Sequence, residues 1–242
     1  MTSGDSDSPG ASDATLWSKI VRAGDSQSSR SQEEKEWLYQ TYRPSVLAYL
    51  HRSGFDHEQC RDITQDFFLY FLKKNLAAVA DPYRGRFRSF LLGTLKNFLS
   101  NERQRARTAK RGGAAAFIAW EVACEGGVDW KALSNGDTPE RAFDRRWALT
   151  VLEETMGRMA GEYERGGRQA EFEVLRPFLV EGGDYAAAAN RLGKSEVACR
   201  VEVSRLRHYY QQMIRAVIRD TLIDPSQVDD ELGCLKAALR PV

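Results

Sequence analysis

Tyr185–Tyr210 reads YAAAANRLGKSEVACRVEVSRLRHYY, and its reading decides the fold. The alanine run is a small-residue helix, and Gly193 supplies the left-handed turn that ends it. Ser195 is a natural N-cap for a second helix, with Glu196 at that helix's positive end. Leu192, Cys199, Val203 and Leu206 share one side, and Ala189 has no bulk to hold the two helices apart. This is the pattern of a helix-turn-helix, whose second helix enters the major groove of DNA. Its outward residues would be Glu196, Arg200, Val201, Ser204, Arg205 and His208. Arginine reads guanine edges and also clamps phosphates. Two packed helices with a glycine turn and a solvated arginine face would give the same pattern. Glu196 and Glu202 also make this helix less basic than most DNA readers, so the segment alone leaves both readings open.

Upstream lies a second unusual stretch, Arg84–Gly113, RGRFRSFLLGTLKNFLSNERQRARTAKRGG. The whole chain is nearly neutral, with 35 Lys and Arg against 34 Asp and Glu. Yet Arg84 to Arg111 holds nine basic side chains and a single acidic one, Glu102. Such a cluster repels itself unless an anion neutralises it. Phe87, Phe90, Leu91, Leu95, Phe98 and Leu99 keep a helical period, which assigns most of the apolar residues to a core. Tyr83, Arg84 and Arg86 beside them suit stacking on an unpaired base, which points to nucleic acid as the anion.

The remainder of the chain is helical in pattern as well. Trp37, Leu38, Tyr42, Val46, Tyr49 and Leu50 recur at three- and four-residue steps, with a kink or break expected at Pro44. Cys60, Ile63, Phe67, Tyr70 and Phe71 form the inner stripe of a second helix. Phe143, Trp147, Leu149, Val151, Leu152 and Met156 mark another from Arg141, and a further helix is expected to be interrupted at Pro177. No stretch sustains the alternation of a strand. The expected class is all-α, with two small helical domains joined by a flexible linker. The boundaries are a polar, flexible segment over 1–32, a first domain over 33–110, a linker over 111–139, a second domain over 140–224 and a tail over 225–242. The tail carries the pattern of one short amphipathic helix.

Several chemistries find no support in the residues. At 29% charged and 42% hydrophobic the composition is that of a water-soluble globular chain, and no apolar run approaches a membrane span. The polar, acidic N-terminus does not read as a secretory signal. Four separated cysteines without a CxxC pair suit reduced thiols, so a cytoplasmic location is expected. His51, His57 and Cys60 lack a fourth metal ligand at useful spacing, and none of the three histidines stands in a catalytic arrangement. There is no phosphate loop of the GxxxxGK type. The expectation is a protein without catalysis, metal or cofactor.

Three segments in order, CRDITQDFFLYFLKK, FRSFLLGTLKNFLSNERQRAR and YAAAANRLGKSEVACRVEVSRLRHYY, resemble the signature segments of bacterial RNA polymerase sigma factors of the extracytoplasmic-function type. The similarity covers about residues 35–110 and 140–220. It implies a factor that binds core RNA polymerase, directs it to promoters, helps melt the −10 element and reads the −35 element. Asp62, Gln65 and Asp66, with Phe67 and Leu69 nearby, match the helix that docks on the polymerase clamp. Tyr83, Arg84, Arg86, Arg88, Lys96, Asn97, Asn101, Arg103 and Arg105 match the −10 surface. Arg200, Val201 and Arg205 would face −35 bases, Lys194, Ser204 and Arg207 would contact phosphates, and Ser195 belongs to the same DNA-binding element. An anti-sigma factor or other regulator is a further candidate partner. The alternative reading is a stand-alone helix-turn-helix regulator. Three features depart from the family pattern: Asn101 replaces an acidic residue, GEYERGGRQAEFEVLRPFL replaces the short LPxxxR turn, and Glu202 lies within the DNA-reading helix.

Overall fold

The structure is a computed structural model that describes residues 29–76, 86–109, 138–222 and 224–240. Among the described residues eight α-helices follow in order: α1 Ser29–Arg52, α2 His57–Lys73, α3 Phe87–Ala109, α4 Pro139–Arg165, α5 Gln169–Leu175, α6 Tyr185–Leu192, α7 Glu196–Asp220 and α8 Val228–Leu239. Short 3-10 turns at Arg176–Leu179 and Pro225–Gln227 lead into α6 and α8. No strand occurs among the described residues, so the all-α expectation holds. The flexible segment expected over 1–32 lies almost wholly outside the described residues, as does most of the linker expected over 111–139.

Local chemistry sets the helix ends. α1 runs through Pro44 without the expected break and stops at Arg52, where Gly54 takes φ 93°. Asp56 and Gln59 form a reciprocal capping box that starts α2. Just past the end of α2, Asn75 turns into the left-handed region at φ 48°. Thr138 caps α4, with Pro139 in its first turn, where a missing N–H costs nothing. Pro177 falls in the 3-10 turn that ends α5, as the sequence suggests.

The apolar interior forms two clusters, and they do not divide at the expected domain boundary. The first contains Leu38, Tyr42, Val46 and Leu50 of α1, Phe67 and Phe71 of α2, and Phe87, Leu91 and Leu95 of α3. It also takes Phe143, Trp147 and Val151 from α4, Ile214, Val217 and Ile218 from α7, and Val228, Leu235 and Ala238 from α8. The second contains Met159 of α4, Phe172 and Leu175 of α5, Phe178 of the Arg176–Leu179 turn, Ala188 and Ala189 of α6, and Cys199, Val203 and Leu206 of α7. The reason is helix length. α4 has 27 residues and α7 has 25, about 40 Å each at 1.5 Å per residue. Each lays one end in each cluster, and α1 packs along α4 more extensively than any other described helix pair. Tyr210 touches both interiors.

Aromatic rings fill the first cluster in edge-on contacts. Phe67 meets Phe68, Phe71 and Phe98 at centroid distances of 5.4, 6.0 and 5.7 Å. Trp147 is the largest side chain with no exposed surface. Trp147→Ala is expected to cost about 3–5 kcal/mol, because such a truncation leaves a cavity that a close-packed interior cannot refill. Chemical denaturation of the full chain checks this, and a loss below about 1 kcal/mol would show that the site collapses freely.

Candidate nucleic-acid interface

The second cluster assembles the helix-turn-helix as the sequence suggests. Asp184 caps α6, its Oδ1 accepting from the Ala186 and Ala187 amides at 2.8 and 3.3 Å. Gly193 closes α6 at φ 64°, and the Lys194 amide donates back to the Ala189 carbonyl at 3.0 Å. The Ser195 hydroxyl accepts from the Ala198 amide at 3.2 Å and starts α7. Ala188 and Ala189 lie buried against Cys199, Val203 and Leu206, so the two helices meet closely. No neighbouring atom lies within 4 Å of a Cβ built on Gly193, so only its backbone angle penalises a side chain there.

The exposed face of α7 presents Glu196, Val197, Arg200, Val201, Ser204, Arg205 and His208. Every residue expected to face outward does so. Val197, at 73% exposure, was missed by the sequence reading although it lies one turn before Val201. The spacing was the available signal, since residues four apart share a face. The arginines are not bare. Arg200 stacks on the Tyr185 ring at 4.3 Å and lies 3.9 Å from Glu196, while Arg205 lies 3.6 Å from Glu202. Two expected phosphate contacts are engaged internally. Lys194 bonds Glu171 at 2.9 Å, which holds its ammonium above the ordinary lysine value, and the Arg207 guanidinium donates to the Phe178 carbonyl at 2.9 Å.

On α2, Asp62, Gln65, Asp66 and Leu69 are all exposed at steps of three and four residues, so they share one face. Leu69, at 46% exposure, is one of the few large apolar side chains on the described surface. Phe67 keeps its place on the inner stripe and so departs from the docking face that the family resemblance implies. It has no exposed surface and packs on Phe98 of α3, because helical spacing turns it away from the Asp62 face. The His51 and His57 rings lie 5.9 Å apart at the α1–α2 corner. Cys60 below them is pushed up to about 12 by burial, with the Asp56 charge adding to it, so this thiol stays protonated at neutral pH.

The basic surface around α3 is the part that differs most. Tyr83 and Arg84 lie outside the described residues. Asn97, Asn101, Arg103 and Arg105 are exposed, with Arg105 bonding Glu102 at 2.8 Å. Lys96 bonds Glu140 of α4 at 2.6 Å. Arg88 was expected on the surface and is 6% exposed. Its Nε donates to Glu231 of α8 at 3.0 Å, its Nη1 donates to Asp144 of α4, and its guanidinium covers the Trp147 indole at 4.5 Å. Arg86 reaches the same Glu231 carboxylate at 2.8 Å. Burial alone would lower the Arg88 pKa, but hydrogen bonds and charge from Glu231 and Asp144 outweigh it and hold the group above its ordinary value. Burial, and then the nearby Glu231 charge, raise the Tyr42 hydroxyl in turn. The sequence showed the cations of this network, but their acidic partners lie more than fifty residues away along the chain.

Comparison with protein-family models, curated proteins and solved structures found no significant match. No helix among the described residues is long and apolar enough to cross a membrane.

Gly193→Ala is expected to cost about 1–2 kcal/mol, the penalty for a side chain in the left-handed region. Thermal melts read that loss, and an unchanged melt would mean that the turn can adopt another shape. The Lys96–Glu140 contact between α3 and α4 should also register in acid. The hydrogen bond from Lys96 comes first among the causes that hold Glu140 below its ordinary 4.5. Its contribution is therefore present above pH 4.5 and lost as pH falls through the lowered folded value. Glu140→Gln should flatten that part of the acid limb in a stability–pH profile; an unchanged limb would assign it to other carboxylates.

Proposed function

We propose that this chain is a transcription initiation factor of the sigma type, which binds core RNA polymerase and brings it to a subset of promoters. The observation that carries the reading is the capped helix–glycine–helix unit with Arg200, Val201, Ser204 and Arg205 aligned on the exposed face of α7. The exposed row Asp62, Gln65, Asp66 and Leu69 on α2 supports it, since acidic and amide groups around one exposed leucine suit a protein partner. The basic end of α3 supplies a second nucleic-acid surface, with Asn97, Asn101, Arg103 and Arg105 exposed.

The chemistry divides between the two surfaces. Opening a duplex costs a few kcal/mol for each extruded base, and cations beside a stacking surface offset that cost locally. A separate major-groove contact on α7 fixes register without having to be strong. Engaging both surfaces at once multiplies affinity. A nearly neutral chain is compatible with this scheme, because only two patches need positive charge. The factor itself carries out no covalent step and needs no cofactor; the polymerase does the chemistry. A cytoplasmic location follows from that role.

Run-off transcription with purified core polymerase on a promoter library is the direct test. Promoter-dependent transcripts are expected. Duplex binding without any polymerase-dependent transcript would instead favour a stand-alone helix-turn-helix regulator. Asp62→Ala with Gln65→Ala should reduce co-purification with polymerase while leaving the melting temperature unchanged. On the selected promoter, Arg200→Ala and Arg205→Ala are each expected to lose about 1–3 kcal/mol if they read guanine bidentately. An equal loss on scrambled DNA would demote them to phosphate contacts.

A further inference from the structure

Glu231 is out of place on its own helix. The buried stripe of α8 is Val228, Glu231, Leu235 and Ala238, so a carboxylate with 2% exposure stands in an otherwise apolar row. Burying an unpaired carboxylate is expensive, and such a group persists only where cations meet it. Here two cations do. Arg86 reaches one oxygen at 2.8 Å and Arg88 reaches the other at 3.0 Å. A carboxylate bridging two guanidinium groups has the hydrogen-bonding chemistry of a phosphate held between arginines. Both arginines belong to the Arg84–Arg111 segment, whose nine basic side chains face a single acidic one.

We propose that Arg86 and Arg88 form a phosphate site for nucleic acid, and that α8 occupies it in the free protein as an internal acidic competitor. The inference rests on the nucleic-acid reading of α3. α8 is suited to leave. It has only 12 residues and follows the Pro225–Gln227 turn. Isolated helices of that length are marginal in water, so its order depends on its docking. When it lifts, Arg86 loses its carboxylate and Arg88 keeps only the half-exposed Asp144 of α4. Phosphate oxygens can then take the position of the Glu231 oxygens. A second acidic contact supports the same direction. Lys96 of α3 is held by Glu140 of α4, so three expected nucleic-acid contacts are covered by carboxylates from elsewhere in the chain. Free factor would then bind nucleic acid weakly until α8 is displaced, and an occupied competitor lowers apparent affinity by the fraction of molecules in the open state.

The test uses the full chain as wild type, Glu231→Gln and Asp144→Asn. Each is titrated at one low salt concentration with a fluorescent single-stranded oligodeoxynucleotide, and separately with inorganic polyphosphate, a phosphate chain without bases. Amide exchange over 228–239 is followed in every state. Glu231→Gln is expected to bind both probes about tenfold more tightly than wild type, and Asp144→Asn by a smaller factor. Saturating wild type with either probe should speed exchange over 228–239 while 199–206 stays protected. Equal affinities for all three forms, or probe binding that leaves exchange over 228–239 unchanged, would overturn the proposal. If Glu231→Gln does not fold, the wild-type exchange and the Asp144→Asn affinity decide the question. Probe binding that releases α8, in a chain that supports no run-off transcription, upholds the competitor and rejects the initiation-factor reading. Transcription without release of α8 rejects the competitor alone.

Discussion

The buried guanidinium of Arg88 ties the molecule together. There α3, α4 and α8 meet through charge: Glu231 approaches from one side, Asp144 from another, and the Trp147 ring lies beneath. Each group alone would be costly to bury. Together the cation is matched, and its planar fork is filled on two edges. Part of the positive charge of the α3 region is balanced by acids that the fold brings from elsewhere in the sequence.

Around that network the architecture is a matter of shared helices. α4 and α7 each contribute to both apolar clusters, so the helix-turn-helix is built on the far ends of helices that begin or finish in the first core. Position of the outward α7 face relative to α3 is thereby set by packing along α4 and α7. The outward face of α7 carries acids close to its arginines, which gives it little net charge. The apolar pair Val197 and Val201 stands exposed on the same face.

Much of this was legible in the sequence because it is local. Helical periodicity marked the stripes of α2, α3 and α4, and the Asp–alanine–glycine–serine order marked α6, its turn and the start of α7. Those signals depend on residues within a few positions of one another, and backbone geometry enforces them. Phe67 shows the two signals in conflict: the helical period puts it on the inner stripe, where it lies, while its nearness in sequence to Asp66 drew it into the docking face. Of the kink or break expected at Pro44, a break does not occur: α1 packs extensively against α4, and packing holds a helix together where one missing amide would not end it. Arg88 and Glu231 were unreadable for a different reason. A charge run looks like a surface from sequence alone, and only the tertiary fold shows that an acid 143 residues later is buried against it.

The sharing of α4 and α7 between the clusters has a thermodynamic consequence. Two interiors that each owned their helices could melt one after the other. Here the walls are common, and loosening either interior frays a helix that the other needs. Heat or denaturant should therefore meet a single cooperative unit across the helices that α4 and α7 connect. A chain that reads along its sequence as two small bodies would lose its structure as one.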